Sequence, residues 1–391
     1  MNIELQKIMW PKKSRIVLMI AIAIGIITFA IGLSVDAQRA WANFLLEYYF
    51  WLCVSVAGVF FVALQHITAS SWSASIRRIP ETFLAYLPVS FLLFLVLAFG
   101  GLHHLYEWTH HDVVATDHLL TLKKPYLNET FFALRQILFY LFAFGTGYWM
   151  TKNSLRQDIT GDPHLTKLNT KIAAPFLLVF AWGFSFISFD LMMSLSPHWF
   201  STIFGIYCWA ILFLSGLSMM TIIVILLHKA GYLREVINEN HYHDLGKLLF
   251  AFLVFWAYIA FSQFMLIWYA NLPEETMYMI PRVTGSWKIF SFCFIAIKFV
   301  VPFFTLISRK AKRNQNILLA AAIWIFCAQW IDIYWLVFPT FFDAPVFGWI
   351  EIGLFIGFAG LFFLSVGSFF TRVSPVAVKD PYLAEGLHLH Q

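Results

Sequence analysis

An all-α integral membrane protein with about ten transmembrane helices is the fold class that this sequence predicts. Hydrophobic residues make up 60% of the 391 residues and charged residues only 12%, against about 25% charged in an ordinary globular domain. A bilayer core about 30 Å thick needs about 20 apolar residues of helix, and runs of that length recur ten times. No polar linker separates soluble domains, so we expect residues 1–391 to form a single membrane domain.

The predicted spans, numbered 1 to 10, lie near residues 16–35, 44–66, 82–101, 131–150, 172–193, 199–228, 246–270, 286–308, 316–338 and 347–370. The first follows a basic stretch, as the apolar core of a signal peptide does. No small-residue cleavage pattern follows it, however, so we interpret it as a membrane span. Residues 371–391 then form a tail outside the membrane.

The distribution of lysine and arginine predicts the orientation. The amino terminus, the segments after spans 2, 4, 6 and 8, and the carboxyl tail carry 19 of the 26 basic residues. Six lie on the opposite side, and Lys298 falls within span 8. Because basic segments remain in the cytoplasm, both termini are expected on the cytoplasmic side of the membrane, which the chain crosses several times.

An internal repeat is suggested by spans 5 and 9, which share a tryptophan, an aspartate and a proline at identical separations: Trp182, Asp190, Pro197 and Trp324, Asp332, Pro339. Spans 2 and 6 also end in one register, at His66 and His228. These matches predict two four-helix units, residues 44–193 (spans 2–5) and 199–338 (spans 6–9), with spans 1 and 10 outside them. A pseudo-twofold axis along the membrane normal would relate the units.

Charged side chains within spans cost about 2.5–3.5 kcal/mol each on insertion scales, so each requires a reason. The candidates are Asp190, Lys298, Asp332 and Glu351, which we assign to a proton pathway. Asp190 and Asp332 should lie toward the outer side, where they either exchange protons or act as polar clamps between helices. Lys298 should pair with an acidic group, as a structural ion pair or as part of a proton relay.

Histidines and carboxylates cluster after span 3, where His103 and His104 precede a polar loop. Imidazoles titrate near neutral pH and can pass protons to water, so both join the predicted pathway, although a merely solvated loop is an equal alternative. Adjacent histidines on a helix point about 100° apart and no HExxH spacing occurs, so no metal site is predicted. Glu47 is expected nearer a membrane surface.

Aromatic residues crowd the end of span 7 around Gln263, Trp268 and Tyr269. Flat apolar groups with a few polar contacts suit a quinone ring, but an interfacial aromatic belt has the same composition. No facing pair of histidines lies in mid-span, which argues against a bound haem. No glycine-rich phosphate-binding motif supports nucleotide chemistry, and no nucleic-acid partner is expected.

Two segments resemble one family. Residues 189–205 read FDLMMSLSPHWFSTIFG and residues 256–276 read WAYIAFSQFMLIWYANLPEET. The first resembles the signature of the NrfD/polysulfide-reductase-like membrane subunits of bacterial alternative complex III. The second, and the tail KDPYLAEGLHLHQ, are similar to the F subunit of that complex. Ser196 stands where an acidic residue is expected in the related C subunit.

The resemblance implies a membrane subunit of a quinol:electron-acceptor (cytochrome c) oxidoreductase in a respiratory chain, not catalytic alone. Haem c and iron–sulfur clusters would lie on partner subunits: a C-type paralogue, an iron–sulfur subunit and multihaem cytochromes c. This chain would bind no cofactor of its own, apart from a quinone or quinol in contact with it and membrane lipid around it. From the two segments that resemble the family, we expect the quinone-binding residues to be Asp190, His198, Gln263, Trp268 and Tyr269.

Two other functions fit a repeated membrane protein with buried charges. A secondary transporter has such repeats, but its helices tend to be broken at corresponding positions, and Pro88, Pro175 and Pro302 do not correspond between the two units. A purely structural scaffold that holds partner subunits is the second alternative.

Overall fold

Ten helices long and apolar enough to cross a membrane occur in the computed structural model, which describes residues 7–389. This confirms the predicted fold class. No strand occurs within the described range. The helices are α1 (Lys12–Val35), α2 (Ala37–Ile67), α3 (Arg78–Leu105), α4 (Glu129–Thr160), α5 (His164–Leu195), α6 (Phe204–Lys229), α7 (Glu239–Ala270), α8 (Gly285–Leu306), α9 (Gln315–Thr340) and α10 (Trp349–Phe370).

Several helices extend well beyond the apolar runs that predicted them. Helix α4 continues past residue 150 to Thr160, where Gly161 ends it in a left-handed conformation with φ 70°. Glycine adopts this conformation without a steric penalty. Helix α5 begins at His164 rather than at 172. A helix can continue into the interface and the water beyond the hydrocarbon core, so hydropathy detects only its middle.

Helix α6 was predicted to begin at residue 199 and instead begins at Phe204. The preceding residues form a turn in which the ring of Trp199 stacks on Tyr278, with centroids 3.8 Å apart. Trp199 therefore packs against the short helix Pro273–Val283 and is not the first residue of a span.

Helices α2 and α6 form the interior of the bundle. Helix α2 packs against α3, α5, α6 and α10, whereas α6 also packs against α5, α7 and α9. The two central helices approach closely because Gly216 faces Ala57: a Cβ atom at Gly216 would lie 2.2 Å from that of Ala57. The pseudo-twofold relation between the two four-helix units stays a prediction.

Helices α1 and α10 pack against each other at one side of the bundle. A Cβ atom built on Gly25 would lie 2.5 Å from the Cα atom of Gly357, so the backbones touch at this crossing. Small residues are the usual means by which membrane helices approach closely.

The segment after α10 contacts the connection after α2, the end of α4 and the start of α7, at the end of the bundle where α1 begins. Asp380 accepts a hydrogen bond from Arg77, 2.7 Å away, in the connection after α2. Lys379 donates to the carbonyl of Ile159 near the end of α4, and Asn240 donates to the carbonyl of Leu389. The predicted tail is thus packed against the bundle, although its last two residues lie outside the described range.

Candidate functional site

Asp332 is a fully buried carboxylate in α9 that receives a side-chain donor from each of the other three helices of the second unit. Tyr207 of α6 and Lys298 of α8 donate to it in close hydrogen bonds, and the indole N–H of Trp256 in α7 lies 2.9 Å from its Oδ2 atom. A buried charge is stabilised by such pairing. Lys298 therefore has the acidic partner that its position in span 8 predicted.

Local backbone geometry orients Lys298. Residues Ala296–Val300 form a π turn inside α8, with Lys298 at its centre. Such turns add a residue to a helix and are frequent at functional positions. The ammonium group donates to Gln329, 2.8 Å away, and lies 4.1 Å from the ring centroid of Trp256.

A cavity of about 500 Å³ lies beside this pair, toward the end of the bundle opposite the chain termini. Helices α6, α7, α8 and α9 and the short helix Pro273–Val283 surround it. Aromatic and aliphatic side chains form most of the wall, and the lining includes Tyr207, Trp256, Gln263, Phe264, Tyr278, Lys288, Ser291, Phe294 and Trp335. This size and composition are typical of pockets for small apolar ligands.

Two side chains connect the cavity with the carboxylate. Tyr207 and Trp256 line the cavity, and both donate a hydrogen bond to Asp332. Asp332 and Lys298 do not line the cavity themselves. An occupant that shifts either ring would therefore change the hydrogen bonding of the buried carboxylate.

The predicted quinone-binding residues of span 7 divide into two groups. Gln263 lines the cavity, and its amide makes no hydrogen bond to another residue in the described range. Trp268 and Tyr269, near the end of α7, are 69% and 85% exposed and do not line the cavity. The structure therefore does not bring them together with Gln263 in this cavity, and their exposure is typical of an interfacial belt.

Asp190 lies in a different cluster. Its two carboxylate oxygens accept hydrogen bonds of 2.7 and 2.8 Å from the guanidinium of Arg135 in α4. The same guanidinium lies 3.9 Å from the ring centroid of Tyr126 and donates to that residue's carbonyl. Asp190 does not line the cavity, so the geometry supports the polar-clamp alternative that the sequence left open.

Glu351 also belongs to a clamp. Arg39 donates to both of its oxygens, at 2.8 and 2.6 Å, and Asn43 donates to one of them at 2.8 Å. The carboxylate further accepts the backbone N–H of Gly348 at the start of α10. These bonds join the beginnings of α2 and α10. No direct hydrogen bond in the described part of the chain connects Asp190, Asp332 and Glu351, and the proton pathway through them stays a prediction.

The three histidines of the predicted sites lie outside the cavity. His103 contacts Thr109 at 3.0 Å and Glu129 at 3.4 Å, and the ring of His104 lies parallel to that of Trp41.

His198 does not reach Asp190's cluster or the cavity. It contacts Asp117 in the loop after α3 at 2.6 Å. The backbone N–H of Leu120 and the His198 side chain hold the pKa of the Asp117 carboxyl below its usual value.

Several buried charges were not recognised as such from the sequence, among them Glu47 and Arg282. Glu47, expected near a membrane surface, is fully buried in α2 and accepts hydrogen bonds from the indoles of Trp51 at 3.1 Å and Trp330 at 2.6 Å. Arg282, counted among loop cations, is only 2% exposed. Burial depends on which way a side chain faces, and α2 has no polar face from which a direction can be inferred.

No cluster of three or more histidine, cysteine, aspartate or glutamate residues suited to a metal ion occurs between residues 7 and 389. No protein-family model and no curated protein matches this chain.

Proposed function

We propose that this chain is a quinone-facing membrane subunit of a quinol:electron-acceptor oxidoreductase. The quinone ring occupies the cavity that α6, α7, α8 and α9 surround, and the Asp332–Lys298 pair exchanges protons with the quinone. One observation carries the proposal: two side chains of the cavity wall, Tyr207 and Trp256, are hydrogen-bonded to a buried carboxylate. The family resemblance of residues 189–205 and 256–276 supports the same function.

The residues of the cavity fit a quinone head group. A volume of about 500 Å³ lies within the usual range for small-molecule pockets, about 300–1,000 Å³. The ring would pack against aromatic faces such as those of Phe294 and Trp335, and the amide of Gln263 would donate to a carbonyl oxygen. Isoprenoid carbons would extend into the lipid.

Tyr207 is the residue best placed to move a proton. A phenol hydroxyl both donates and accepts hydrogen bonds, so it can take a proton on the cavity side while it donates its own to Asp332. Trp256 has one N–H donor and no acceptor, so it orients Asp332 without relaying a proton. Lys298 compensates the charge of the carboxylate.

Oxidation of a quinol releases two electrons and two protons. One proton would pass through Tyr207 to the Asp332 carboxylate and would leave it before the second proton follows by the same route. The two electrons would pass to iron–sulfur clusters and c-type haems, which partner subunits in a bacterial inner membrane would hold. The chain alone then catalyses no complete reaction.

The test is purification of the tagged chain from its native membrane in native lipid. Co-purified haem and iron, and quinol-dependent reduction of cytochrome c, are expected. A photoreactive azido-quinone should label peptides of α7 or α8, and excess unmodified quinone should suppress the labelling. A chain that purifies without redox subunits would contradict the proposal in favour of a transporter, and active complex without labelling would favour a structural scaffold.

A further inference from the structure

Arg282 is a buried cation without an anionic partner. Its guanidinium donates to two backbone carbonyls, of Tyr278 at 2.6 Å and of Leu336 at 2.8 Å. Its Nε–H has no hydrogen-bond partner, and no carboxylate within the described range pairs with it. Removing a charge from water costs several kcal/mol unless an opposite charge compensates it.

The other two fully buried arginines of residues 7–389 are compensated. Arg77 pairs with Asp380 at 2.7 Å, and Arg78 pairs with Glu81 at 3.0 Å and with Asp158 at 2.5 Å. Arg282 thus differs from both in its missing anion, although it is buried to the same extent.

Arg282 lies directly behind the cavity wall. The guanidinium carbon is 3.7 Å from the ring centroid of Tyr278 and 5.3 Å from that of Trp335, and both rings line the cavity. Ser291, another lining residue, donates to the carbonyl of Arg282. Burial lowers the pKa of Arg282, but a guanidinium stays protonated in proteins at neutral pH.

Further cations surround the same cavity. Lys288 lines it, and its ammonium group makes no hydrogen bond or ion pair in the described part of the chain. Lys298 lies behind Trp256, where Asp332 balances its charge. Glu274 and Glu275 begin the short helix Pro273–Val283 but do not line the cavity. Positive charge therefore exceeds negative charge around an apolar space, in which electrostatic interactions are weakly screened.

We propose that this cavity prefers a ring ligand with an ionised acidic group over a neutral ring of the same size, and that Arg282 sets the preference. The inference rests on the proposed function, because it concerns the ligand of the same cavity. A neutral quinone still fits, since the excess positive charge also attracts a carbonyl oxygen, but a ring bearing an oxyanion compensates the buried guanidinium.

Two naphthoquinones of similar size test the proposal. 2-Hydroxy-1,4-naphthoquinone carries an ionised hydroxyl at neutral pH, whereas 2-methyl-1,4-naphthoquinone is neutral. Their affinities for the purified full-length chain, within its complex if one co-purifies, are measured by equilibrium dialysis at pH 7 with empty micelles as the control. We expect the anionic ring to bind at least tenfold more tightly, which corresponds to about 1.4 kcal/mol.

Three variants locate the preference. Arg282→Gln should abolish it. Arg282→Lys should weaken it, because a buried lysine without an anionic partner can lose its proton, whereas a guanidinium stays charged. Lys288→Gln should reduce it less, since charges exposed to solvent are screened by salt. Thermal unfolding shows whether each variant is folded. The comparison of the two naphthoquinones on the wild-type protein does not depend on any variant.

The outcomes separate the inference from the proposed function. Equal affinity of the wild-type protein for both rings would overturn the inference and leave a quinone site intact. A preference that persists in folded Arg282→Gln would overturn the role of Arg282. Failure of both rings to bind would overturn the proposed function, and the inference with it.

Discussion

The indole N–H of Trp256 donates a hydrogen bond to the carboxylate of Asp332, 2.9 Å away, and the same indole ring forms part of the cavity wall. An occupant that shifts this ring also changes the hydrogen bonding of the buried carboxylate.

Asp332→Asn should lower quinol-linked turnover at least tenfold in a complex that still assembles. Asparagine keeps the shape but cannot accept the proton, and positioned proton transfer contributes about 10²–10⁴-fold to rates. The lysine that loses its partner can release its own proton. Turnover per assembled complex is the measurement, and unchanged turnover would refute the role of Asp332.

Asp190→Asn is the matched comparison, and it should act on stability first. It leaves Arg135 without its carboxylate, and a guanidinium cannot deprotonate. Breaking such a pair costs about 3–5 kcal/mol when it is fully buried, so lower yield and an earlier thermal transition are expected. The polar turn that follows Asp190 makes it, from the sequence, the stronger candidate for proton exchange than Asp332, whereas the ion pair with Arg135 predicts that stability changes first. A stable Asp190→Asn complex with low turnover would support the assignment made from the sequence.

Trp256→Phe should reduce turnover several-fold while the affinity for quinone changes little. Phenylalanine keeps an aromatic surface in the cavity wall and removes the N–H that orients Asp332. Trp324→Phe is the control, since that indole donates to the backbone carbonyl of Ile297 and does not line the cavity. A Michaelis constant that rises with unchanged maximal rate would instead show that Trp256 serves only binding.

The orientation is tested by cysteine accessibility in intact cells. Exposed Thr121, in the loop after α3, should be labelled from outside after substitution by cysteine, whereas Lys310→Cys, after α8, should require lysis. Cys293 and Cys327 have exposed side chains and should first be replaced by serine. A reporter fused after Gln391 should remain cytoplasmic. The opposite labelling pattern would invert the topology.

Asp380→Asn should destabilise the protein by about 3 kcal/mol, because it leaves the buried Arg77 without its anion. Glu385→Gln provides the control, since that exposed carboxylate has no ion-pair partner in the described range. Thermal unfolding in detergent, monitored by fluorescence, measures both variants. Equal transitions for the two would show that the contact between the tail and the bundle adds no stability.

The sequence by itself determined the class of the protein and the number of its spans. Apolar runs of about 20 residues have few alternatives to a membrane helix, because only helices and closed barrels satisfy the backbone in lipid. The sequence also identified Asp190, Lys298, Asp332 and Glu351 as unusual, since charged groups inside spans are costly. The cost alone could not distinguish a clamp from a functional group.

Only the tertiary structure decided which charges meet. Asp190 and Asp332 occupy equivalent places in the sequence pattern, yet one pairs with Arg135 and the other lies behind the cavity wall with Lys298. Arg282 was assigned to a loop from its position and is buried beneath two aromatic rings of the cavity. In helices that are apolar on every side, periodicity carries no direction. The direction in which each polar side chain points is then determined by packing between helices that are far apart in the chain.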